Sequence, residues 1–192
     1  TTDLFEKLTS NADLKEKFDI QTYRFDSDFE SSDNFDFKGS QTNIDAVAKT
    51  GVNAIKFQTH IADAESSKDE KFRIQLPYLP DKTRFEYWKR MEFDYYQLNE
   101  LYSHTKSKGL DYICSPFSEY AVDVLEKAGV DIYKIGSGEF FNLKLIDLVL
   151  STNKKVFIST GLSTWEEISE LSDYLLAKHP NKYKNIIFFH CT

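Results

Sequence analysis

The chain has 192 residues, a net charge of −7, and 41% hydrophobic and 29% charged residues. That size and balance give a globular domain with a real core and exclude a disordered chain. The acidic charge argues against a general nucleic-acid partner, and no apolar run is long enough to span a membrane.

With no signal peptide visible, the expected location is cytoplasmic. Cys114 and Cys191 lie in apolar, strand-like runs and read as buried free thiols. The chain begins at Thr1 rather than at a methionine, and it stops at His190-Cys191-Thr192 directly after a strand-like run. A truncated C-terminus is therefore expected.

Taken in order, residues 1–18 read as helix, with Leu4, Leu8, Leu14 and Phe18 broadly at helical spacing. Residues 19–25 alternate like a half-buried strand. Residues 26–42 are acidic and serine-rich and read as a solvated loop. From Asn43 to Thr50 a short helix is expected, stopped by Gly51. The first strand follows at Val52–Gln58, with Lys56 and Gln58 on one face and Ile55 and Phe57 on the other. Residues 62–83 make a long charged connection containing Pro77 and Pro80, of the kind that often forms a functional lid. Helical pieces are expected at Phe85–Phe93 and Tyr95–Lys108, then a strand at Leu110–Cys114 stopped by Pro116. Ser118 caps a helix to Ala128 with Gly129 after it. Ile132–Ile135 is a strand, Asn142–Ser151 a helix, and Lys155–Ser159 a strand. Thr164 opens a helix to about Ala177, with Glu167 at the capping-box position, and Asn185–His190 is the last strand.

This alternation means parallel strands joined by helical crossovers. Four strands end in polar groups: Lys56-Phe57-Gln58-Thr59, Cys114-Ser115-Pro116-Phe117, Tyr133-Lys134-Ile135-Gly136-Ser137-Gly138-Glu139 and Ile158-Ser159-Thr160-Gly161. Polar groups at the C-terminal ends of parallel strands are how an α/β barrel builds its site. A doubly wound dinucleotide fold is disfavoured, because Gly136-Ser137-Gly138 lacks the third glycine of its phosphate loop.

Lys56 and Lys134 carry most of the chemistry. A lysine inside a barrel is costly to bury as an ion unless something anionic meets it. With Ser115, Ser137 and Ser159 at neighbouring strand ends, the pair suits a phosphate group. The plainer alternative is an internal carboxylate partner such as Glu139. Lys134 and Ser137 are an odd number of residues apart, so Gly136 and Gly138 must bend the chain for both to reach one ligand. Glu139 then sits at the mouth, where it could bind sugar hydroxyls or move a proton. His60 and His190 lack paired-ligand spacing, and no metal site is assigned to them.

At these residues the sequence resembles the N-acetylneuraminate (sialic acid) synthase family, with its legionaminate and spore-coat polysaccharide relatives. The resemblance covers about residues 45–192. It rests on the four strand-end motifs, on Tyr87-Trp88-Lys89-Arg90-Met91-Glu92, on Thr164-Trp165-Glu166-Glu167-Ile168 and on His190-Cys191-Thr192. It implies a (β/α)8 barrel of the TIM type, here incomplete and limited to its second to sixth strands, in a protein that is typically a homodimer. It implies condensation of phosphoenolpyruvate with an open-chain N-acetylated amino sugar, giving a nine-carbon 2-keto acid and phosphate. It further implies a divalent metal, Mn or Mg, acting as a Lewis acid on the aldehyde. By resemblance Lys56, Ser115, Lys134, Ser137 and Ser159 hold phosphoenolpyruvate, Gln58 lies between the substrates, and Glu139 handles a proton beside the sugar. The family's first-strand glutamate motif has no counterpart in residues 1–44, and its metal-binding histidines would lie beyond Thr192. On that basis the chain alone is expected to be inactive.

Residues 1–44 do not match that family. Gly39-Ser40-Gln41-Thr42-Asn43-Ile44 resembles the threonine-bearing metal loop of von Willebrand factor A-type domains, without the Asp-x-Ser-x-Ser half of that site. Other readings are a fragment that binds phosphate without catalysis, an adhesion module, and a Schiff-base aldolase. The last needs a neutral lysine, whereas the neighbouring serines favour anion binding.

Overall fold

A computed structural model describes residues 37–74 and 80–191. The helix expected at 1–18 and the strand expected at 19–25 lie outside the described residues.

Helix α1 (Phe37–Ala48) is longer than the sequence pattern implied, and it absorbs residues read as loop. Gly39 to Ile44 are therefore helical, not a metal-site loop. Ile44 is the reason the helix docks: its side chain is fully buried in the core. After Gly51, whose positive φ of 81° ends the turn, β1 (Ala54–Thr59) begins. A short helix, α2 (Ala62–Glu65), interrupts the connection expected to be structureless. Helices α3 (Arg84–Met91) and α4 (Tyr95–Ser107) follow. Then come β2 (Asp111–Pro116), α5 (Glu119–Ala128), β3 (Ile132–Ile135), α6 (Leu143–Ser151), β4 (Lys155–Ser159), α7 (Trp165–Lys178) and β5 (Ile186–Phe189). Pro116 does not stop β2 but closes it, paired with Thr59.

The helix starts follow directly from the sequence. Thr83, Asp94 and Thr164 each accept a hydrogen bond from the backbone N–H three residues on, and Glu86, Gln97 and Glu167 return the favour. Ser118 and Asn142 cap α5 and α6 in the same way with one bond each.

The five strands form one parallel sheet in the order β1-β2-β3-β4-β5. Sequential order without reversal is barrel topology, since a doubly wound sheet reverses at its switch point. One face of the sheet carries Tyr112, Cys114, Tyr133, Ile135, Val156 and Ile158, all fully buried under the helices with Leu125, Ile146 and Val149. The other face carries Lys56, Gln58, Ile113, Ser115, Lys134, Phe157 and Ser159. Registers such as Gln58↔Ser115 and Lys134↔Phe157 set them side by side.

Polar ties fix the layers. The Asp131 carboxylate accepts from the Tyr112 backbone N–H at 2.8 Å and from Lys106 Nζ at 2.8 Å, joining α4, β2 and the entry to β3. The Tyr133 hydroxyl donates to Glu126 at 2.7 Å, and burial together with that carboxylate pushes the phenol pKa far up.

Gly129 ends α5 with φ at +114°, and a Cβ there would lie 2.5 Å from the Tyr102 ring. Strain at such a backbone costs about 1–3 kcal/mol before any collision is counted. Gly129→Ala should lower the free energy of unfolding by at least that much in chemical denaturation, and an unchanged midpoint would contradict this packing.

Candidate functional site

The open face of the sheet holds the candidate site, and β1 supplies its first cation. Ile55 and Phe57 pack against the core, so alternation turns Lys56 and Gln58 away from it. Lys56 reaches solvent from the open face. Partial burial along the sheet, and then the neighbouring Lys134 charge, hold its ammonium below the ordinary lysine range. Lys134 is half-buried, and burial lowers its pKa too. Its Nζ donates to Ser159 Oγ at 2.5 Å, which ties β3 to β4 on this face. Among the described residues neither lysine is paired with a carboxylate.

Ser115 and Ser159 are buried at the ends of β2 and β4. The odd spacing of Lys134 and Ser137 is resolved as expected, by a bend: Gly136 is extended, and a 3-10 turn over Ser137–Glu139 redirects the chain. That turn carries Ser137 across to the end of β4. A Cβ on Gly161 would lie 2.7 Å from Ser137 Oγ and 3.3 Å from Cys191 Cβ, so only glycine leaves the serine its place. Thr160 donates through its backbone N–H and its hydroxyl to the Phe189 carbonyl, at 3.0 and 2.9 Å, holding the ends of β4 and β5 together.

Lys56, Gln58, Ser115, Lys134 and Ser159 thus share one sheet face, and Ser137 closes on its rim. Glu139 stands further out. It accepts from Asn142 Nδ2 at 2.8 Å and lines a cleft of about 480 Å³ beside Gln58. Two cations with hydroxyls, and no carboxylate on either ammonium among the described residues, are the chemistry that an anion would need.

The rest of the cleft was missed from the sequence. His60, Ala64, Glu65, Arg84, Trp88 and Phe117 complete its lining. His60 is buried, and its ring lies 3.8 Å from Trp88 and 4.2 Å from Phe117, within 15° of parallel to both. Two near-parallel rings this close must cover opposite faces. Nδ1 of His60 meets Glu65 Oε2 at 2.7 Å, and Glu65 Oε1 accepts from the Ile61 backbone N–H at 2.6 Å. No standard motif joins a histidine at a strand end to a glutamate five residues on. The signal in the sequence was slight: His60 and Phe117 follow strand ends, while Trp88 sits within α3.

His190 follows β5 and is exposed. Among the described residues no three His, Cys, Asp or Glu side chains lie close enough to hold a metal ion. They therefore do not fit a divalent metal by themselves. Cys114 is fully buried beside Thr59, and burial pushes its thiol up to about 11. Cys191, expected to be buried, is partly exposed.

Fold and site together define an α/β chain of the barrel type with a cationic site at its strand ends. The sequence pattern of the NeuB family matches residues 43–192, and the chain belongs to that family. It is 32% identical over 161 residues to N,N'-diacetyllegionaminic acid synthase of Campylobacter jejuni, covering 83% of this chain and 48% of that protein. In fold it is similar to a putative spore coat polysaccharide biosynthesis protein E from Chromobacterium violaceum. There the TM-score is 0.68 at 23% identity, over 82% of this chain and 45% of that one. The N-acetylneuraminic acid synthetase of Leptospira borgpetersenii gives 0.64 at 22% identity, over 81% and 49%. The chain spans about half the length of the relatives it matches. Its sheet is accordingly part of a barrel of the TIM type, and none of its described helices is long and apolar enough to cross a membrane.

A Cβ on Gly161 would meet both Ser137 and Cys191, so Cys191 lies close to the rim serine of the candidate site. Thiol labelling of the folded chain should modify Cys191 and spare Cys114, and millimolar inorganic phosphate should slow the reaction several-fold. A rate indifferent to phosphate would remove the anion from this place.

Proposed function

We propose that this site belongs to a synthase that joins phosphoenolpyruvate to an N-acetylated amino-sugar aldehyde, giving a nine-carbon 2-keto sugar acid and inorganic phosphate. The observation that carries the reading is the pair Lys56 and Lys134 on one open sheet face. Each is below the usual lysine range, and among the described residues neither is met by a carboxylate. The relatives' names, legionaminic and pseudaminic acid synthases among them, agree with it.

In this reading the phosphate and carboxylate of phosphoenolpyruvate lie against Lys56, Lys134 and the hydroxyls of Ser115, Ser137 and Ser159. The dianion replaces water around two ammonium groups that already repel each other, so binding recovers the cost of holding them together. Gln58, one strand step beyond Lys56, lies between the enol carbon and the aldehyde. The enol carbon forms the new C–C bond to the aldehyde carbon, and the aldehyde oxygen takes a proton. Water adds to the cationic carbon left behind, phosphate departs with the C–O bond electrons as the ketone forms, and the water's two protons end on the former aldehyde oxygen and on the phosphate. Glu139, held by Asn142 at the cleft, is placed to shuttle the proton on the sugar side. No step here is routed through a metal. The 192-residue chain by itself is proposed to bind phosphoenolpyruvate without turning it over.

Calorimetric titration with phosphoenolpyruvate tests this. A hydrogen bond to a charged group is worth about 1.5–3 kcal/mol, so Lys56→Ala and Lys134→Ala should each weaken binding by roughly 10- to 100-fold. The double variant should bind nothing measurable. Equal affinity in the wild-type and double-variant chains would overturn the assignment.

A further inference from the structure

The two lysines of the open sheet face are not equivalent. The Lys134 ammonium is held, because its Nζ donates to Ser159 Oγ. Lys56 makes no hydrogen bond among the described residues, and it reaches solvent from the open face. Register also sets the two at different depths. Lys56 pairs with Ile113, and Ile113 pairs with Ile132. Lys56 is therefore level with Ile132, and Lys134 stands two residues nearer the strand ends. At the usual rise of a strand that is about 7 Å along the sheet. Ser115 lies two residues beyond Ile113, so it shares the level of Lys134.

The hydroxyls thus gather at the level of Lys134 and beyond it, and an amine without a partner lies one step below them on β1. Hydroxyls around an ammonium suit a phosphate group. The lower position suits different chemistry. Partial burial and the nearby Lys134 charge make the Lys56 ammonium easier to deprotonate. A lysine beside a second cation is a known way to raise amine reactivity toward a carbonyl carbon. A ligand with a phosphate at one end and an aldehyde several bonds away would use both positions. Its phosphate would rest at Lys134, and its carbonyl carbon would be held against Lys56 Nζ at a high effective concentration.

We propose that Lys56 is a site of reversible covalent modification by phosphate-bearing aldehydes, whose phosphate is held at Lys134 and Ser159 while the carbonyl carbon condenses with Lys56 Nζ. This rests on the anion-site reading and adds a way to close that site. The Lys56 ammonium first releases one proton to solvent. The nitrogen lone pair then adds to the carbonyl carbon, and the C–O bond breaks as the C=N bond forms. The oxygen leaves as water with the two remaining amine hydrogens, so no oxidant or reductant is consumed. Water reverses the step. While the imine stands, the bound phosphate excludes phosphoenolpyruvate.

The probe is pyridoxal 5'-phosphate, with pyridoxal as its phosphate-free counterpart. Each is incubated with the chain, fixed with borohydride, which reduces the imine to a secondary amine, and located by peptide mass mapping. Lys56 should carry the pyridoxal 5'-phosphate label, ahead of Lys134 and of exposed lysines such as Lys49 and Lys155. Pyridoxal should label Lys56 more slowly by roughly tenfold or more, because the charged hydrogen bonds to phosphate are lost. Inorganic phosphate and phosphoenolpyruvate should each protect Lys56. Lys134→Ala should slow its labelling, and the protection experiment carries the test if that variant fails to fold. A label on Lys134, a label spread evenly over exposed lysines, or equal Lys56 rates with both aldehydes would overturn the proposal. Calorimetry separates the two readings. Phosphoenolpyruvate bound by a chain whose Lys56 stays unlabelled sinks the imine alone, whereas no binding of phosphoenolpyruvate sinks the anion site and this inference with it.

Discussion

Lys56 and Lys134 stand on the same face of a parallel sheet, and each is held there against electrostatic cost. Partial burial disfavours both ammonium ions, and the Lys134 charge adds to the cost at Lys56. Most of what surrounds them serves to keep that arrangement. The buried face of the same strands, from Tyr112 and Cys114 to Ile135 and Ile158, anchors the sheet under its helices. The register then leaves the lysines no choice of side, because a shift of one residue would bury Lys56 and expose Phe57. Ser159 holds the Lys134 ammonium, and the glycine at 161 leaves Ser137 its place on the rim. Among the described residues no carboxylate offsets this cost, and that is the observation on which the proposed external anion rests.

The second half of the account depends on a different kind of constraint. Where the candidate anion site is made of ammonium and hydroxyl groups, the cleft beside it is walled by rings. His60 is fixed on both faces by rings and at Nδ1 by Glu65, and α3 is held at its start by the Thr83–Glu86 capping box. Sheet, strand ends and the connection after β1 thus meet at Gln58 and Glu139, which border both the charged and the aromatic ends. That geometry suits a reaction between a charged donor and a neutral, partly apolar acceptor. Proximity of two bound reactants is itself a large part of such catalysis.

Much of this was legible in the sequence, for physical reasons that can be named. β3 and β4 fall where the apolar runs place them, and the caps at Thr164 and Ser118 are local chemistry that needs no tertiary context. The lysines, serines and Gln58 were found because strand ends in parallel sheets converge. The N-terminal side of α1 was misread because Gly39 and Ser40 look like loop, while the burial of Ile44 that favours helix there is a long-range contact. His60 was set aside because its partners, Trp88 and Phe117, come from other elements and no spacing rule links them. Burial of Cys191 was expected from its apolar neighbours, but it lies past the end of β5, where the sheet no longer covers it.

The most direct measurement is an NMR titration of the chain with 13C-labelled lysine ε-carbons, with and without phosphoenolpyruvate. The account predicts that Lys56 and Lys134 lose their protons at lower pH than the other lysines, because burial and mutual repulsion disfavour the charged forms. It also predicts that phosphoenolpyruvate moves both titrations upward, since a bound dianion favours the ammonium. Two lysines that titrate with the rest, or whose titration ignores phosphoenolpyruvate, would contradict it.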